Sequence, residues 1–145
     1  MIRCANTNES TANELQFTKY YKWPNGIGPC EIPENLCYEA RAEIKGFRFV
    51  FTAFYSDEDI PCLSVYYRKV DSKDHIWTGY EKELKYLEDY ERDIKNIIEG
   101  LQYQIYRGWF HGEASIIVVL DRFRLEGVWE RDIDDEDEDG WMRFL

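Results

Sequence analysis

Residues 38–55 read YEARAEIKGFRFVFTAFY, and this stretch decides the fold. Tyr38, Ala40, Ala42 and Ile44 fall on one face of an extended chain, while Glu39, Arg41 and Glu43 fall on the other. Alternation with period two and a polar outer face is the signature of a β-strand. Lys45-Gly46 then supplies a tight turn, because glycine accepts the positive φ that a two-residue hairpin loop demands. Behind it Phe47, Phe49, Phe51, Ala53 and Tyr55 form the apolar face of a return strand. Pattern and turn together predict an antiparallel hairpin.

Working outward, Leu15 to Trp23 alternates well enough for an edge strand, and Pro24 to Pro29 is a loop on its prolines and glycines. Cys62 to Val70 is rich in β-branched and aromatic residues and continues the meander as a third strand of this run. At residue 78 the period changes. Thr78-x-x-Glu81 has the form of a capping box, and Tyr80, Leu84, Leu87, Ile94, Ile97, Ile98 and Leu101 follow helical spacing. Acid-first pairs four apart (Glu81–Lys85, Glu88–Arg92, Glu91–Lys95) support the same helix, which ends at Gly100 or near Gly108. Ser115 to Leu125, apolar on both faces from Ile116 to Leu120, reads as a central strand, and Val128 to Ile133 as a short partner. The expectation is a single α+β domain over residues 1–145. It has an antiparallel meander sheet of five to six strands, one long helix packed on a face, and an acidic C-terminal segment, 130–145.

The charge is unevenly placed. The formal net charge is -11, yet residues 1–125 hold 20 acids against 16 bases. Residues 126–139 hold nine acids against Arg131 alone, and within 132–139 only Ile133 is not an acid. A dense anionic segment attracts cationic surfaces and repels nucleic acid. No apolar leader opens the chain, and the longest apolar run, Ala114 to Leu120 around Ser115, is far short of the ~20 residues of a membrane helix. A cytoplasmic protein with reduced, buried thiols at Cys4, Cys30, Cys37 and Cys62 follows from this, with no C-x-x-C to hold zinc.

Motifs for chemistry are fragmentary. Asp135-x-Asp137-x-Asp139-Gly140 matches the opening of a calcium loop, but the closing bidentate Glu would fall one residue past Leu145. Asp71-x-Lys73 and Glu83-x-Lys85 have the acid-x-Lys form used by metal-dependent nucleases, without a partner acid at a defined position. His111-x-Glu113 resembles half of a deaminase zinc signature whose C-x-x-C half is missing. A loop histidine beside a turn glycine is the reading favoured over it. Phosphate-binding and nucleophile-elbow motifs are absent, so no cofactor or metal is expected.

The surface itself remains. Trp129 and Trp141 bracket the acids Asp132, Asp134, Asp135, Glu136, Asp137, Glu138 and Asp139. Charge steers encounter and large aromatics supply buried anchors, so these nine residues are the expected partner-binding set. The leading expectation is a non-catalytic acidic inhibitor or interaction protein that binds a basic surface of a partner protein. An enzyme that handles nucleic acid is the natural target, because its groove is cationic. Viral anti-restriction or anti-CRISPR proteins, acting in the host cytoplasm, and immunity proteins take this form. Direct binding of nucleic acid or membrane is not expected. The alternatives are a small enzyme with a dispersed, metal-assisted site near Asp71, and a small-ligand binder.

Overall fold

The computed structural model describes residues 15–21, 36–71 and 76–132. Six strands form one antiparallel sheet in sequence order: β1 (Thr18–Tyr21), β2 (Leu36–Ile44), β3 (Phe47–Tyr55), β4 (Pro61–Lys69), β5 (Ile76–Glu83) and β6 (Glu126–Asp132). A short 3-10 turn, Leu87–Asp89, leads into helix α1 (Tyr90–Tyr106), followed by α2 (Glu113–Arg122). The architecture is therefore α+β, a six-stranded meander with a long helix and a shorter one inserted before its last strand.

The hairpin forms as its sequence dictates. Ala40 pairs with Phe51, Ala42 with Phe49 and Ile44 with Phe47, so the small side chains of β2 face the large rings of β3. Lys45 at φ 49° and Gly46 at φ 80° make the two-residue turn, whose double positive φ matches the twist of the flanking strands. The face carrying Phe49, Phe51 and Val65 packs against Ile94, Ile97, Ile98 and Leu101 of α1 and Ile116, Val119 and Leu120 of α2. The opposite face holds its own cluster of Val50, Tyr66 and Trp77 with Trp129 packed against it. The strands buried on both sides are thus β3 and β4, with Thr52, Ser64 and Arg68 buried as well as their apolar neighbours.

Three sequence expectations are corrected. Thr78 and Glu81 do not cap a helix; they lie in β5, paired with Tyr67 and Ser64 of β4. A capping box contributes about 1 kcal/mol. Here it competes with a full ladder that buries Trp77 completely, and the ladder wins. Glu83 ends that strand and Lys85 lies in the following turn, so neither occupies a helix face. With Glu81 in a strand its spacing to Lys85 loses meaning. Glu91–Lys95 does form at 3.5 Å, while Arg92 turns to Asp89 and Asp93.

The long helix runs through Gly100 and stops at Tyr106. Gly108 at φ 74° closes it: its N–H donates to Ile105 O, and Trp109 N–H donates to Gln104 O at 2.8 Å. This is the reciprocal C-terminal pairing that a left-handed glycine permits. Gly100 serves packing instead, since a Cβ there would lie 3.2 Å from Val119 of α2.

The third correction concerns 115–125, which is helix α2 and not a strand. A short apolar run does not distinguish the two periods. In α2, Ile116, Val119 and Leu120 are buried, while Ile117 and Val118 are exposed. That is the i, i+3, i+4 stripe of a helix lying on a core. Its end mirrors that of α1: Arg124 adopts φ 67°, and Leu125 N–H donates to Leu120 O at 3.0 Å. Cys37 and Cys62 are buried, as expected of them; Cys4 and Cys30 lie outside the described residues. No helix among the described residues is long and apolar enough to cross a membrane.

Candidate functional site

β6 is an edge strand of the sheet, and it joins the body to the acidic run. Glu126, Val128 and Glu130 are exposed on it. Gly79 pairs with Trp129 and Tyr80 with Gly127, which leaves Val128 as the extra residue of a β-bulge. Bulges and charges on an outer strand discourage pairing with a second copy.

One ladder position is unusual. Glu81 of β5 lies directly opposite Glu126 of β6. Like charges across a ladder destabilise it. Burial also pushes the Glu81 carboxyl above its ordinary value of 4.5. Around this pair opens a cleft of about 650 Å³, to which Glu58 and Glu83 contribute two further carboxylates. Of the two cations on its wall, Lys82 is committed to Asp93 at 3.0 Å, and Arg124 occupies the left-handed end of α2.

The loop that brings Glu58 here is pinned by Ser56. Its Oγ accepts from the N–H groups of Glu58 and Ile60, and its own N–H donates to Ile60 O. The arrangement therefore concentrates negative charge on a built scaffold, suited to receiving a cation.

The raised Glu81 pKa has a consequence for stability. The folded state holds this proton to a higher pH than the unfolded chain does. The stability that Glu81 contributes is therefore greatest below the ordinary carboxyl range and falls as pH rises through the folded pKa. Glu81→Gln removes that fall. Its stability relative to the parent is expected to grow between pH 4 and pH 7 in denaturant titrations. A difference independent of pH would show that Glu81 ionises as freely in the fold as in the unfolded chain.

The expected partner-binding set is placed only in part. Trp129 is half-buried, 4.9 Å from the Tyr66 ring and lying over Gly79, so it holds β6 to the sheet. Asp132 is the last residue of β6. Asp134, Asp135, Glu136, Asp137, Glu138, Asp139 and Trp141 lie outside the described residues, as does the whole calcium-loop match. Sequence reasoning missed Glu58, Glu81 and Glu126 as a group. Glu81 reads as part of a helix cap and Glu58 and Glu126 carry no signal of their own; the ladders that join β5 to β4 and to β6 bring the three together. Among the described residues no three His, Cys, Asp or Glu side chains are grouped to hold a metal. Asp71 is exposed in the turn after β4.

A second cleft, of about 660 Å³, opens at the other end of β5 and β6 and has the opposite character. Lys45, Arg68, Lys69 and His111 line it beside the acids Glu113 and Glu130, with Phe47 and Phe110 among the apolar residues. His111 sits in the loop before α2, beside Gly112. Glu113 accepts a hydrogen bond of 2.9 Å from the Tyr67 hydroxyl, whose pKa is pushed well up by burial and by that carboxylate.

Comparison with protein-family models, with curated proteins and with solved structures gives no match to this chain.

Proposed function

We propose that the protein is a non-catalytic interaction protein whose acidic edge binds a basic surface on a partner protein. The observation that carries this reading is the Glu81–Glu126 pair. Two carboxylates face each other across the ladder in a cleft that adds Glu58 and Glu83, on the strand that continues into seven acids within 132–139. A guanidinium or ammonium group from outside finds several carboxylates there to pair with.

A surface evolved to hold phosphates offers such cations in a row. An enzyme that handles nucleic acid is therefore the partner class that fits, with carboxylates standing where phosphates would lie. Inhibitors of restriction or CRISPR nucleases, and immunity proteins, work in this manner. The acidic run adds reach, since its field extends over ~8 Å at physiological salt.

The test uses the intact protein, immobilised, to retain partners from lysate over a salt series, followed by association kinetics with what is retained. Two variants divide the contributions. Asp134, Asp135, Asp137 and Asp139 changed together to Asn should slow association and flatten its salt dependence. Glu81→Gln with Glu126→Gln should speed dissociation by about tenfold, because a cation seated between them loses two charge-assisted contacts. If both variants bind as the parent does at low salt, the acids are only a solubility device, and the proposal falls.

A further inference from the structure

We propose that the second cleft is a binding site for a small organic phosphate, a phosphomonoester carried on a flat apolar body of mononucleotide size. The argument starts from two lysines. Lys45 stands in the β2–β3 turn, and Lys69 is the ladder partner of Phe47, two residues further along the chain. The Val70 N–H donates to Gly46 O at 2.8 Å, which fastens that turn to the end of β4. The two cations are thus held on neighbouring backbone. Neither forms an ion pair with any described residue, in a chain with 29 acids to draw on. Two cations that line one cleft and are held by no acid are open to an anion entering from solvent.

The facing wall is equally built. Ser115 Oγ accepts from His111 N–H at 2.7 Å and donates to Trp109 O at 3.2 Å, fixing the path of the loop that presents His111. Of the two acids that line the cleft, Glu113 is engaged by the Tyr67 hydroxyl and Glu130 stands exposed on β6. Two lysines and an imidazole supply several donors, which suits the three terminal oxygens of a phosphomonoester better than the two of a carboxylate.

The apolar part of the lining gives the ligand its body. Phe47 and Phe110 meet edge to face with ring centres 6.3 Å apart, and Phe110 remains half-exposed beside Ile76. A volume of about 660 Å³ lies within the range of small-molecule sites. A nucleic-acid strand is the wrong occupant. The chain carries a net charge of -11, which repels a polyanion far more than a single phosphate group.

Titration of the intact protein with adenosine monophosphate, adenosine and inorganic phosphate at physiological salt, followed by backbone amide shifts, tests the site. Saturable binding of the monophosphate is expected, with shifts at residues 45–47, 69–70 and 109–112. Adenosine and phosphate should each bind about tenfold or more weakly, since each lacks half of the recognised chemistry. Lys45→Gln with Lys69→Gln should lower monophosphate affinity by about tenfold at unchanged melting temperature, and the two Lys→Arg changes should retain it within about threefold. Adenosine or phosphate binding as tightly as the monophosphate would overturn the proposal. So would undiminished affinity in the double Gln variant, or no saturation by any of the three probes at millimolar concentration.

Discussion

Phe49→Ala is expected to lower the free energy of unfolding by about 3–5 kcal/mol, the usual cost of deleting a large aromatic from a core. Phe49 is 1% exposed in the middle of β3. Its ring stacks against Phe51 at 5.9 Å and tilts against Tyr67 at 6.0 Å, and its ladder partner Ala42 is too small to fill the space it would leave. Both helices bear on the same cluster, so the surroundings have little freedom to collapse inward. Domains of ordinary stability have about 5–15 kcal/mol in total, so this change takes away a large part. Equilibrium unfolding in denaturant measures it, and Phe49→Leu, which keeps more of the volume, should lose distinctly less. A loss below about 1 kcal/mol for Phe49→Ala would mean that the hairpin face is not the core of the molecule.

The second large effect is expected at Gly79. A Cβ there would lie 2.4 to 2.7 Å from three ring atoms of Trp129 on the next strand. No real pair of atoms sits so close, so the indole must move, and Tyr66 at 4.9 Å restricts where it can go. Alanine normally improves on glycine inside a strand by roughly 0.5–1 kcal/mol. At this position Gly79→Ala should instead destabilise by about 1–3 kcal/mol through overpacking.

A double-mutant cycle separates the two effects. In a Trp129→Ala background the same change should become neutral or stabilising, which gives a large coupling energy between the two sites. If the effects of the two changes simply add, the contact between Gly79 and Trp129 does not hold β6 in place. The cycle also bears on the partner-binding role expected of Trp129, because a ring needed to seat β6 is restricted in how far it can project outward.

Local chemistry was legible wherever one segment carried its own signal. The β2–β3 hairpin follows from period-two alternation and from Lys45-Gly46, both properties of adjacent residues, and it stands as read. The core stripe of α1 from Ile94 to Leu101 was readable for the same reason. The uneven charge, with seven acids within 132–139, needed no structure at all.

Elsewhere a local signal was outweighed by distant contacts. Thr78 and Glu81 have the spacing of a cap, but Trp77 is buried only if the segment pairs with β4. The run Ile116–Leu120 offered no period, and the flat surface of the sheet together with α1 decided that it should turn as a helix.

The clefts were invisible in the sequence on stronger grounds. Glu81 meets Glu126 across one ladder, and another pairs Lys69 with Phe47, two residues after Lys45, so each joins segments far apart in the chain. Repulsion between two like charges depends on their distance in space, and sequence order sets that distance only within a helix turn or a tight loop. Composition, hairpin and charge balance were therefore determined by the sequence alone. The pairing of β5 with β4 and β6, the helical state of α2 and both charged clefts were decided by tertiary structure. Each of them exists only once burial of the two sheet faces has chosen which strands are neighbours.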